Sequence, residues 1–152
     1  MPTVAIVMGS KSDTEMMQPA VDILKAFGVD CDVNIISAHR TPDRARDFAK
    51  TAREKGIEVI IAAAGGAAHL PGVIASWTTL PVIGVPLASS ELKGIDALYS
   101  IVQMPGGIPV ACVSVGSWGV QNAAYLAAEI LGLKYNSVRD AYEKYRNDLA
   151  RS

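Results

Sequence analysis

The 152-residue chain has two histidines, and each stands in a small-residue segment where a strand pattern gives way to a helix pattern. His39 lies in Ser37-Ala38-His39-Arg40-Thr41-Pro42, and His69 in Ala64-Gly65-Gly66-Ala67-Ala68-His69-Leu70-Pro71-Gly72. Imidazole is the side chain whose ordinary pKa, about 6.5, lies nearest neutrality, so a histidine beside a backbone-exposing loop points to proton transfer. Packing would explain either one alone equally well. Two of them at like chain crossings favour a site.

The neighbours of these histidines narrow the chemistry. Arg40 is a permanent cation whose planar fork matches a phosphate. In the plainer alternative it pairs with Asp43 and His39 is a packing residue. Gly9-Ser10-Lys11-Ser12-Asp13 joins a strand pattern to a helix start, where unpaired amides and serine hydroxyls suit a phosphate. Asp13 would repel that phosphate but could accept hydrogen bonds from ribose hydroxyls, so the turn fits a ribonucleotide better than a bare anion. Ala64–Ala68 leaves backbone amides almost bare, which lets a planar ligand or a small carboxylate approach closely. Tight helix–sheet packing would account for the same residues. His69 would either orient a ligand carboxylate or cap the turn.

Other chemistries lack their residues. There is no Gly-x-Ser-x-Gly elbow and no acidic cluster for a metal. Strand one ends without an acidic pair and strand three ends in Ala64-Gly65, which speaks against a phospho-accepting receiver domain. Cys31 and Cys112 lack CxxC spacing and read as reduced, small apolar residues.

The elements that must position these residues alternate along the chain. Strand patterns cover Thr3–Met8, Asp32–Ser37, Glu58–Ala63, Pro81–Pro86 and Ile108–Val115. Ser12 to Glu15 reads as a capping box for a helix that buries Met17, Ala20, Val21, Leu24 and Phe27 and stops at Gly28. Thr41-Pro42 reads as an N-cap with proline at the first helical position, opening a helix with Ala45, Phe48, Ala49 and Ala52 inward. Helices are also expected from Leu70 to Leu80, over Ile95–Val102 and Gly119–Leu131, and from about 136 to 151. The Gly119–Leu131 pattern is apolar almost all round, which predicts a second cover and hence a subunit interface.

Five strands each followed by a helix imply one α/β domain over residues 1–152: a parallel five-stranded sheet between two helical layers, with a C-terminal helix. In a flavodoxin-like order 2-1-3-4-5 the ends of strands one, two and three adjoin, so Gly9–Asp13, Ser37–Arg40 and Ala64–His69 converge. Half the residues are hydrophobic, 19% are charged and the formal charge is −1, which leaves no footprint for nucleic acid. No apolar run reaches the roughly 18–20 residues of a membrane span. The start Met1-Pro2-Thr3-Val4 resembles a strand more than a leader.

Four segments taken together carry a family resemblance. Met8–Asp13, Ser37–Pro42, Ala64–Gly72 and Ser100-Ile101-Val102-Gln103-Met104-Pro105 closely resemble the PurE family, N5-carboxyaminoimidazole ribonucleotide mutases of purine biosynthesis. The resemblance runs from strand one to about Leu131. It implies a cytoplasmic isomerase that is a homo-octamer of flavodoxin-like subunits, uses no metal or organic cofactor, and moves a carboxyl group from N5 to ring carbon C4. Carried over, Ser10, Ser12, Asp13, Ser37 and Arg40 would bind the ribose phosphate, with Asp13 on the ribose. Ala64, Gly65, His69 and Leu70 would line the base and carboxylate, and His39 would be the general acid/base. The C-terminal helix would be free to pack on a neighbouring subunit. Many relatives have glycine where Ala63 stands and some have arginine at Gly106, which puts the backbone around residue 63 in question. Two alternatives stay open: a carboxylase of the same family that takes free CO2, and a flavodoxin-like nucleotide-binding module without catalysis.

Overall fold

A computed structural model describes all residues from 1 to 152. The chain runs β1 (Thr3–Met8), α1 (Thr14–Ala26), β2 (Asp30–Ile35), α2 (Pro42–Thr51), β3 (Ile57–Gly65), α3 (Leu70–Trp77), β4 (Val82–Leu87), α4 (Ile95–Val102), β5 (Ala111–Cys112), α5 (Ser117–Gly132) and α6 (Asn136–Ala150). All strand pairs are parallel and the order is β2-β1-β3-β4-β5, as the sequence pattern predicts.

The central strands are apolar on both faces because helices cover both. Val4, Ile6 and Met8 of β1 and Val59, Ile61 and Ala63 of β3 face α1, α5 and α6. Ala5, Val7, Ile60, Ala62 and Ala64 face α2, α3 and α4. Ile60 and Ile61 are fully buried, one on each face, and truncating either to alanine would cost about 2–5 kcal/mol. Register then sets the site. Met8 pairs with Ile35 and Ala63, and Ala63 pairs with Val85, so the chain leaves β1, β2, β3 and β4 at one level. Ala63 itself sits fully buried within regular β3, so its methyl group leaves the local backbone undisturbed. A side chain at Gly106 would meet nothing within 4 Å.

Three local expectations are corrected. The capping box does not form: residues Lys11–Asp13 make a 3-10 turn, and Ser10 rather than Ser12 is the capping side chain, accepting from the Ser12 amide at 3.3 Å. The inserted turn moves Glu15 past the position from which it could reach back. Thr41 does not cap α2 with its side chain. Its hydroxyl instead accepts from the Ser37 amide at 3.1 Å and donates to the Ser37 carbonyl at 2.9 Å, fastening the β2–α2 loop. The fifth strand shrinks from Ile108–Val115 to two ladder residues, opposite Ile83 and Gly84. Pro109 and Pro86 have no N–H to donate there, although the Gly116 amide still reaches the Pro86 carbonyl at 3.0 Å.

The second cover on α5 comes from its own chain. α6 lies against α5 and buries Val138 in the same cluster as Ala127, Ala128 and Leu131. Gly132 permits the approach, since a Cβ there would meet Arg139 at 3.3 Å. Part of the apolar pattern of α5 is thus covered within the chain itself. No helix is long and apolar enough to cross a membrane.

Candidate active site

One cleft of about 440 Å³ lies at the carboxyl ends of β1 to β4. Every residue singled out from the sequence lines it: Ser10, Ser12, Asp13, Ser37, His39, Arg40, Ala64, Gly65, His69 and Leu70. They come from three separate crossings, brought to one level by the parallel register.

The β1–α1 crossing contributes hydroxyls and one carboxylate. The Ser10 and Ser12 hydroxyls lie 2.9 Å apart, stacking two neutral donors on the tight turn. Asp13 is the only buried charged residue of the protein. Burial pushes its carboxyl above the ordinary range, partly offset by a hydrogen bond from the Ser10 backbone. Keeping so short an acid in this place costs stability, as is common for groups held ready for a ligand.

The β2–α2 crossing carries the cation and the first imidazole. The Ser37 hydroxyl accepts from the Arg40 amide at 3.1 Å, closing the loop around Ala38 and His39. Arg40 is exposed and makes no ion pair, because Asp43 is taken by Arg46 at 3.3 Å. The pairing of Arg40 with Asp43, the plainer alternative, does not occur. A guanidinium with no internal partner at the mouth of a cleft is available to an incoming anion.

The β3–α3 crossing supplies the second imidazole and a bare wall. Gly66 has φ +59°, a left-handed conformation that suits glycine, and the chain then tightens through Ala68 and His69 amides bonded to the Gly66 and Ala67 carbonyls. His69 ends up as the N-cap residue of α3 without a side-chain cap bond. Its ring is used elsewhere. His39 Nε2 lies 2.8 Å from His69 Nδ1, with the rings edge to face at 81°. That contact holds a single proton, so one ring donates and the other accepts.

Ser89 and Ser90, just past β4, line the cleft and were not anticipated from the sequence. The rule that ligands sit beyond the carboxyl ends of parallel strands applies to β4 as well as to the other three. No group of three or more His, Cys, Asp or Glu side chains is placed to hold a metal ion. The two cysteines are free and lie on opposite edge strands, β2 and β5, away from the cleft. Burial pushes the Cys31 thiol up to about 11 and raises that of Cys112.

Known proteins resemble the chain along almost all of it. Residues 3–152 match the family described as AIR carboxylase. An N5-carboxyaminoimidazole ribonucleotide mutase of Saccharolobus solfataricus is 57% identical over 98% of this chain and 93% of its own. One of Thermotoga maritima is 56% identical over 99% of this chain and 87% of its own. The crystal structure of Treponema denticola PurE superposes with a TM-score of 0.89 at 31% identity, covering 99% of this chain and 93% of that one.

Proposed function

The chain belongs to the AIR carboxylase family, and we infer from that premise that its cleft carries the N5-carboxyaminoimidazole ribonucleotide mutase reaction of purine biosynthesis. The reaction is an isomerisation: a carboxyl group leaves the exocyclic nitrogen of an aminoimidazole ribonucleotide and arrives at ring carbon C4. The observation that carries this assignment at the level of residues is the His39–His69 contact at 2.8 Å, inside a cleft that also holds Arg40 and Asp13.

The chemistry needs one proton given and one taken. The N–C bond of the carbamate breaks, its electron pair stays on nitrogen, and nitrogen accepts a proton as CO2 is freed. C4 then supplies the electron pair that bonds the same CO2 carbon. The proton left on C4 departs to restore aromaticity, and the base that takes it returns to its starting protonation, while the proton it first gave stays on nitrogen. A single imidazole suits both transfers because it gives and takes near neutral pH. We assign that role to His39, with His69 as its hydrogen-bonded partner and a wall of the carboxylate pocket. The small side chains of Ala64 and Gly65, with Leu70 beneath, keep that end tight around freed CO2.

The other contacts follow from charge and reach. Arg40 holds the phosphate, Ser10, Ser12 and Ser37 donate to it or accept from the loop around it, and Asp13 accepts from the ribose hydroxyls. A carboxylase that draws on free CO2 is the less favoured reading, since the two relatives at 57% and 56% identity carry the mutase name. We place the enzyme in the cytoplasm, in keeping with two free thiols held apart on opposite sheet edges. We also infer a homo-octamer; the exposed apolar stripe Leu92, Ile95, Tyr99 and Val102 supports self-association. Light scattering at micromolar concentration tests it, and a mass of 16.0 kDa, that of one chain, would refute it.

The reaction is tested by following a 13C label in the carbamate of the substrate. The mutase delivers the label to the product carboxylate in excess unlabelled bicarbonate. Wash-out of the label would mark a carboxylase, and no conversion would sink both.

A further inference from the structure

We propose that the Ser89 hydroxyl is a binding contact for the migrating carboxyl group, completing the far wall of the cleft; the proposal rests on the mutase reading above. It starts from the order of the strands. The cleft spans the ends of β2, β1, β3 and β4, three inter-strand spacings of about 4.8 Å, or roughly 14 Å. A mononucleotide laid across the sheet fits within that span. Arg40 and the Ser10–Asp13 turn occupy the β2 and β1 end, so a nucleotide whose phosphate sits there extends its heterocycle toward β3 and β4. The groups lining the cleft at the β4 end are Ser89 and Ser90.

Ser89 is built against the bare wall. A Cβ placed on Gly65 would fall 1.7 Å from Ser89 Oγ and 3.2 Å from the Leu87 carbonyl oxygen, so the hydroxyl rests directly over the Gly65 backbone. Glycine at 65 is thus explained by Ser89 as much as by a ligand. The Ser89 hydroxyl makes no hydrogen bond within the chain, although its neighbour makes several. Ser90 donates its hydroxyl to Asp96 and accepts from the Leu92 amide at 3.2 Å, while the Lys93 amide bonds the Ser90 carbonyl at 3.0 Å. Lys93 and Gly94 follow at φ 54° and 91°, closing the turn onto α4. One serine therefore pins the turn and the adjacent one is left with a free donor over the carboxylate wall.

A neutral donor suits this position. Both the carbamate and the product carboxylate present anionic oxygens, and a hydroxyl can keep its bond to one of them while the carbon changes partner. A cation there would hold the anion too firmly to release CO2.

The test measures calorimetric binding of 4-carboxy-5-aminoimidazole ribonucleotide and of its decarboxylated counterpart to the unmodified chain and to Ser89→Ala. Losing a hydrogen bond to a charged group weakens the carboxylated ligand about 10-fold or more, with the decarboxylated one changed less than about 2-fold. Ser89→Cys, which keeps the shape and loses the strong donor, repeats the measurement should the alanine variant fold poorly. Equal loss for both ligands, or loss for neither, overturns the role of Ser89 while leaving the mutase reading intact. If the unmodified chain binds neither ribonucleotide, the mutase reading itself falls and the role of Ser89 with it.

Discussion

His39 and His69, thirty residues apart in sequence, meet through Nε2 and Nδ1 at 2.8 Å. A proton crossing that contact exchanges the tautomers of both rings when the ring that gives it gains one at its own outer nitrogen and the ring that receives it releases one from its outer nitrogen. A pair linked in this way can hand a proton from one side of a bound base to the other without moving either ring.

Replacing His39 with asparagine keeps a polar group of similar reach and removes the titrating imidazole. Turnover is expected to fall by about 10²–10⁴-fold, the usual share of general acid–base catalysis. Binding of the decarboxylated ribonucleotide should stay within a few-fold. Near-normal turnover in stopped assays would take His39 out of the proton-transfer role.

The partner ring is tested by a double-mutant cycle. His69→Ala should slow turnover by roughly 10–100-fold, less than the loss of His39, because it removes only the orienting contact. Added to His39→Asn, it should cost almost nothing more. Strict additivity of the two losses would show that the rings act independently.

Arg40 has no partner of its own to lose, so its replacement reports on ligand binding alone. Arg40→Gln is expected to raise KM by about 10–100-fold, the worth of a charge-assisted bond, with kcat changed far less. Unfolding by heat should be unaltered. A variant with normal KM would move the phosphate elsewhere.

Asp13 sets stability against binding. Its folded-state pKa is raised by burial, so its favourable contribution exists below the ordinary carboxylate range and is lost as pH rises through the raised value. At pH 7 the buried acid is thus a cost relative to acid conditions. Asp13→Asn should therefore raise Tm at pH 7 by about 2–4 °C, as ~1 kcal/mol does at this size, and the gain should vanish in acid. The same variant should bind the nucleotide several-fold more weakly. A lower Tm at pH 7 would contradict the burial argument.

Glu58 has the opposite sign. Burial alone would raise its carboxyl, but hydrogen bonds from Tyr135 and from Lys134 at 3.1 Å outweigh it and hold the group below its ordinary range. The stability it adds is present above the unfolded-state value and is lost as pH falls through the folded one. Tyr135→Phe should cost about 1 kcal/mol at pH 7, and urea midpoints of the two proteins should converge in acid. A difference that persists unchanged at low pH would assign the loss to packing instead.

Much of this was legible in the residues. Hydrophobic periodicity sufficed for the five crossings and their order of layers, because strands buried on both faces and helices buried on one leave different patterns. The three loops of the site were visible for a related reason: glycine, serine and histidine interrupt apolar runs only where the backbone must turn. Ser89 and Ser90 sit at an equivalent turn but beside Glu91 and Lys93, without histidine or a run of glycines, and so looked like an ordinary surface loop. The capping role of Ser10 also escaped, since choosing between two serines depends on whether a 3-10 turn precedes α1.

The apolar pattern of α5 shows where local information stops. Its residues announce that both sides are covered, but a side chain records only that it is dry and not which surface dries it. That α6 of the same chain does so depends on the turn after Gly132 and the close approach it permits. The same holds for the site. Residue types and family likeness named His39, His69, Arg40 and Asp13 from the chain alone, because chemistry resides in functional groups. Their convergence in one cleft, the imidazole contact, the unpaired Arg40 and the Ser89 hydroxyl over Gly65 arise from parallel register, which aligns strand ends that lie tens of residues apart.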